Sequence, residues 1–183
     1  KTVVPEEKKV YLAFNKPRGI VCTAEKREKN NVIDYLSYPV RIYPVGRLDK
    51  DSEGLLLMTN DGAIVNGIMR ARNRHEKEYQ VEVNKEITPE FLKKMASGVP
   101  ILDTVTRPCR IQKTGERSFT IILTQGLNRQ IRRMCEALGY RVTKLKRVRI
   151  MNIHLKDLKT GEYRPLTEKE LAELKKQIGE EKR

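Results

Sequence analysis

A chain of 183 residues can hold one sizeable domain or two small lobes, and its 38% apolar content comes in short blocks between turn residues, as a folded globular protein requires. Its 38 lysines and arginines against 24 acids leave a formal charge of +14, which argues for a polyanionic partner rather than for any particular fold. No apolar run reaches membrane length, and the opening KTVVPEEKKV is charged and proline-bearing, unlike a secretory leader. Three cysteines far apart (Cys22, Cys109, Cys135) suit a reducing cytoplasm better than a disulfide framework, and neither His75 nor His154 has a neighbour at metal-ligand spacing.

Residues 1–9 read as a linker or disordered start, and 10–183 as one domain. VYLAF (10–14) is a predicted strand, stopped by NKPRG, where Pro17 and Gly19 force a turn. EKREKNN (25–31) is a polar loop and VIDYL one or two helical turns. RIYPVGRLD is extended and broken by Pro44 and Gly46, whereas LLLMT (55–59) is a continuous apolar run, as in a strand buried on both faces. Asn60-Asp61-Gly62 can cap a helix carrying Ile64, Val65, Ile68 and Met69.

EYQVEVN (78–84) alternates, with Tyr79, Val81 and Val83 on one face. Thr88-Pro89 starts a helix that Gly98 ends, and PCRIQK and SFTIILT are further strands. In LNRQIRRMCEALG, Ile131, Met134, Cys135 and Leu138 make one helical stripe closed by Gly139. RVRIMNI alternates as a strand, and LTEKELAELKKQI opens with a capping box, Thr167 to Glu170. Strands joined by turns, interrupted irregularly by helices, predict an α+β domain on a mixed, largely antiparallel sheet.

GRLDKDSEG (46–54) packs Asp49, Asp51 and Glu53 into one loop of a basic chain. A calcium loop fits its opening but fails at the twelfth position, which is Asn60 rather than glutamate, and LLLMT intervenes. A solvated turn accounts for Asp51 and Glu53. Asp49 lies between Leu48 and Lys50, at the edge of a buried strand, where an acid withdrawn from water needs a cationic partner to stay ionised. Spacing alone leaves both a solvated and a functional Asp49 open.

GRLD followed by DSEGLLLMTND resembles the catalytic loop of RNA pseudouridine synthases, in particular the RsuA/RluB–RluE–RluF branch that modifies ribosomal RNA. NKPRG resembles the branch's K-P-x-G segment, EKEYQV (76–81) its Lys-x-Tyr strand, and GLNRQIRRMC (126–135) its basic third motif. MASG (95–98) and LKTGEYRPL (158–166) have counterparts too, so the resemblance runs from about Tyr11 to Leu174. The wording GLNRQIRRMCE and VPILDTV is nearest to RluF-like members. Members of this branch usually begin with a small RNA-binding domain, and nothing before Tyr11 could form one, so the expectation is a catalytic domain shown without it, either because the piece was cut or because this member lacks it.

The resemblance implies an α+β pseudouridine synthase fold and isomerisation of uridine in ribosomal RNA, with the large subunit the expected source and tRNA a further candidate. No cofactor and no metal are implied, in keeping with the lack of a P-loop or dinucleotide fingerprint. It makes Asp49 the catalytic carboxylate, Tyr79 the platform for a flipped base with Lys77 beside it, Arg132 the partner of Asp49, and Ile131 a wall of the base pocket. Arg47, Asn128, Arg129, Gln130 and Arg133 are expected RNA contacts, with Arg70, Arg72, Arg74, Lys144, Lys146, Arg147 and Arg149 completing a basic surface. Two rival readings are a non-catalytic RNA-binding or ribosome-assembly protein using the same basic face, and a uracil-releasing glycosylase.

Overall fold

The computed structural model describes residues 8–181, so the expected linker over 1–9 lies outside the described residues except for Lys8 and Lys9, which are exposed and irregular. The strands are β1 (Tyr11–Lys16), β2 (Tyr43–Pro44), β3 (Glu53–Thr59), β4 (Lys77–Val83), β5 (Pro100–Ile101), β6 (Thr104–Val105), β7 (Arg110–Gly115), β8 (Ser118–Leu123), β9 (Val142–Ile150), β10 (Ile153–His154) and β11 (Tyr163–Pro165). The helices are α1 (Val32–Leu36), α2 (Gly62–Arg70), α3 (Pro89–Ser97), α4 (Gln130–Ala137) and α5 (Glu168–Glu181). Among the described residues, no helix is long and apolar enough to cross a membrane.

The helix starts follow the capping chemistry read from the sequence. Asp61 accepts a bond from the Ala63 N–H at 3.1 Å, and Thr88 accepts from Phe91 at 3.1 Å with Pro89 as the first helical residue. The box before α5 closes in both directions: Thr167 N–H donates to Glu170 Oε1 at 2.8 Å, and Glu170 N–H donates to Thr167 Oγ1 at 3.0 Å. The strand read from RVRIMNI begins earlier, at Val142, and stops at Ile150 because Met151 turns the chain at φ 56°. Lys144 and Lys146 mask it in the sequence by alternating with inward Leu145 and Arg147.

The main sheet runs β11-β1-β3-β9-β4-β8-β7, with β2 on β3 and β10 on β9. Every pairing is antiparallel except β3 with β9, which touch in parallel over just Glu53–Lys146 and Gly54–Arg147. At that contact Gly54 has φ +107°, and a Cβ there would overlap the Arg147 backbone, so only glycine lets the strands meet. The β1–β3 half is covered on both faces. Ala13, Leu55 and Leu57 face α2 and α5, while Phe14, Leu56 and Met58 face α1, so LLLMT is buried on both faces as expected. On the other half, Phe119, Ile121 and Val81 pack against α3 and the Ile131–Met134–Cys135 stripe of α4. Two packed blocks with a short parallel seam between them leave a cleft over β9 and β4.

Candidate active site

The loop from Gly46 to Ser52 borders this cleft and is tied down from below. Lys16, fully buried, donates from Nζ to Pro17 O at 2.9 Å and to Lys50 O at 3.5 Å, and Gly19 N–H donates to Lys50 O at 2.7 Å. Burial lowers the Lys16 pKa to about 8, against the pull of Asp49, Asp51 and Glu53 toward the charged form. Arg147 enters from β9 and donates from Nε to Leu55 O at 2.8 Å and from Nη1 to Arg47 O at 3.4 Å. The loop is thus held at 47, 50 and 55, bracketing Asp49. Ser52 N–H closes it by donating to Asp49 O at 3.0 Å.

The arginines of the third motif reach the loop from α4, but not in the expected pairing. Arg132, with its side chain 9% exposed, donates from Nη2 to Asp51 O at 2.9 Å and to Ser52 Oγ at 3.1 Å, and Nη1 lies 3.6 Å from Asp51 Oδ2. Arg129 takes the carboxylates: it forks onto Asp51 at 2.9 and 3.0 Å and touches Asp49 Oδ2 at 3.4 Å. The expectation that Arg132 pairs with Asp49 is therefore corrected. Arg132 leaves α4 on its buried side and meets the loop backbone where the chain turns into β3. Arg129, at φ 49° before the helix, approaches from the solvent side. Asp51 is not the solvated acid it resembled, because the Arg129 guanidinium holds its carboxyl below the ordinary range.

Asp49, Lys77, Tyr79, Arg129, Ile131 and Arg132 converge on one cavity of about 360 Å³, roofed by residues 125–131 and floored by β4 and β9. Arg47, Asn128 and Gln130 also line it, whereas Arg133 turns away and binds Asn128 O and Oδ1 at 2.9 and 2.8 Å. Gln130 is not free to contact RNA. It is buried, accepts from Leu127 N–H at 3.1 Å and donates to Gln125 at 3.2 Å, fixing the turn before α4. Arg129 likewise has its donors on Asp49 and Asp51 rather than free for phosphate. Two arginines assigned to the basic surface lie inside: Arg147 is 6% exposed, and Arg149 bridges Glu76 and Glu78 at 3.1 and 3.0 Å. Sequence reasoning gave Lys16 no role and missed the inward aim of Arg147. The available signals were the lysine of NKPRG and the alternation of Arg147 with Leu145.

The family description "RNA pseudouridylate synthase" matches residues 10–137, which include the loop, the Lys77–Tyr79 strand and α4. The chain belongs to the RNA pseudouridylate synthase family. It is 54% identical over 169 residues to the dual-specificity RNA pseudouridine synthase RluF of Escherichia coli K12, covering 92% of this chain and 58% of that protein. To ribosomal large subunit pseudouridine synthase B of Bacillus subtilis it is 36% identical, over 94% of this chain and 74% of the other. The chain thus spans under two thirds of the RluF proteins it matches. A crystal structure of a pseudouridylate synthase superposes with a TM-score of 0.85 at 30% identity, over 92% of this chain and 75% of that one. An archaeal box H/ACA Nop10–Cbf5 complex shares the fold with a TM-score of 0.55 at 17% identity.

Proposed function

We propose that this chain isomerises uridine in ribosomal RNA to pseudouridine in the cytoplasm, with large-subunit RNA as its substrate and tRNA as a second one. The observation that carries the reading is Asp49, an acid on a loop held at three points, facing Tyr79 and Ile131 across a cavity of about 360 Å³, room for one extruded base. A uridine in structured RNA must leave its stack before C1′ can be reached, and the Tyr79 ring offers the flipped base a stacking surface. Breaking N1–C1′ and joining C5 to C1′ conserves atoms and electrons, so the reaction needs neither redox agent nor phosphoryl donor. Asp49 serves as the carboxylate that meets the electron-poor sugar, as carboxylates do in glycoside chemistry. Arg132 is the buried positioning cation of its loop, Ile131 walls the base, Lys77 lines the base site beside Tyr79, and Arg47 and Asn128 face the incoming RNA.

The reading is tested with Asp49→Asn on ribosomal RNA fragments, scoring pseudouridine itself. Conversion should be abolished while RNA affinity and the melting curve stay near wild type. Conversion within tenfold of wild type would overturn the assignment of Asp49. A wild-type protein that bound RNA without converting it would favour a non-catalytic role, and abasic sites in place of pseudouridine would indicate a glycosylase.

A further inference from the structure

Lys77 and Arg147 are two cations on the cavity floor, and among the described residues neither has a carboxylate partner. Lys77 Nζ donates to Arg72 O at 2.5 Å and to Thr124 O at 3.1 Å. Arg147 donates to the Leu55 and Arg47 carbonyls. Both line the cavity that holds Asp49, and they flank one residue: Lys77 is two positions before Tyr79 on the same face of β4, and Arg147 is the register partner of Tyr79 on β9. Backbone carbonyls solvate a cation but do not neutralise it, and a buried charge without a counterion is costly. Burial, with the charges of Arg147, Arg107 and Arg72, lowers the Lys77 pKa to about 8, so it still carries its proton at pH 7. The floor is therefore a positive site on the strands that carry Tyr79 and its register partner.

We infer that Lys77, seconded by Arg147, is a catalytic residue that stabilises the uracil anion formed when the base leaves the sugar. This rests on the isomerase reading above. When N1–C1′ breaks, its electron pair stays with the base and spreads over N1, O2 and O4. The positive charge left at C1′ is met by Asp49, either through a bond to C1′ or by taking the C2′ proton and later returning it. Either course releases the same anion, so the role of Lys77 does not depend on which occurs. Rejoining spends an electron pair of the base on a C5–C1′ bond while any Asp49–C1′ bond breaks and returns its pair to the carboxylate; C5 loses its proton, and N1 gains one, restoring the composition of uridine. A fixed donor aimed at charge that exists only after bond breaking accelerates that step without tightening ground-state binding.

The test compares wild type with Lys77→Met in single-turnover reactions, on one RNA carrying either uridine or 5-fluorouridine at the target. Fluorine steadies the departing anion and should substitute for the missing cation. Loss of the starting nucleoside should slow at least 100-fold with uridine but less than about 10-fold with 5-fluorouridine, at unchanged RNA affinity. Equal slowing on both bases, or a change in affinity alone, would overturn the proposal while leaving the isomerase reading intact. Failure of the wild-type protein to convert uridine would instead overturn that reading. A second arm needs no variant: at pH 7 the wild-type protein should bind 5-nitrouracil, an acidic uracil ionised at that pH, at least tenfold more tightly than neutral uracil. A preference below twofold contradicts a cationic base site even if Lys77→Met does not fold.

Discussion

Replacing Gly54 by alanine probes the seam on which the site depends. Its φ of +107° is a conformation that L-residues rarely adopt, and the added Cβ would meet Arg147 O, N and C, atoms of a paired strand that cannot swing aside. The backbone strain costs about 1–3 kcal/mol, and forcing the strands apart costs about another 1–3 kcal/mol. A total of about 2–6 kcal/mol is a large share of the roughly 5–15 kcal/mol that holds a domain together. In a chain of this size each kcal/mol moves Tm by about 2–4 °C, so the variant should melt at least about 4 °C lower. The damage should extend to activity, because displacing β9 withdraws the Arg147 bonds to Leu55 and Arg47 that hold the Asp49 loop. Gly62→Ala is the control: its Cβ would meet nothing within 4 Å at the start of α2, and it should be neutral or gain up to about 1 kcal/mol. Thermal and urea melts of both variants decide the matter. A Gly54→Ala variant within about 0.5 kcal/mol of wild type would refute the claim that only glycine fits this seam.

The two α4 arginines should separate on stability: Arg132→Met strands the part-buried Asp51 O and the buried Ser52 Oγ at a cost of about 1–3 kcal/mol, while Arg129→Met loses half-exposed pairs worth under about 1 kcal/mol. Equal losses in parallel urea titrations would contradict the observed partners. Glu170 is held at a pKa of about 2, below its ordinary 4.5, chiefly by the Arg164 guanidinium that binds it at 2.8 and 2.9 Å. A depressed folded pKa stabilises above the unfolded value, so Glu170→Gln should lose about 2–3 kcal/mol at pH 7. That deficit should shrink below pH 4.5 and vanish as the pH nears 2; a deficit that stays constant in melts across this range would sink the assignment.

Much of the fold was legible because it is local. The alternation of Tyr79, Val81 and Val83, the apolar run of LLLMT and the caps at Asp61, Thr88 and Thr167 each act within a few residues, and each appears where the pattern put it. The β5–β6 hairpin was not legible. Its turn puts Leu102 and Asp103 at φ 45° and 61° without the glycine or asparagine that normally signals such a turn. The candidate site residues line one cavity, but their pairing was not legible. Arg129 and Arg132 lie some eighty residues from the acids they meet, and which acid each reaches depends on the angle at which α4 arrives. Arg147 was misread because KLKRVRI has the composition of a wet surface; only its place in step with Leu145 marks it as inward.

The three acids of GRLDKDSEG now have separate physical roles. Asp51 is an anchor, gripped by the Arg129 fork and approached by Arg132. Glu53 belongs to the first residue pair of the parallel seam. Asp49 keeps one end-on contact at 3.4 Å, and its side chain remains 34% exposed at the cavity. A loop that must offer one carboxylate to a substrate needs rigidity from contacts other than that carboxylate, since any strong partner would have to be displaced first. Lys16 and Arg147 supply that rigidity through backbone carbonyls, and Arg132 through Asp51 O and Ser52 Oγ, so three cations fix the position of Asp49 without occupying its oxygens. Part of the +14 charge therefore lies beneath the loop, where it holds Asp49 in place, and only the remainder is free to meet a polyanion.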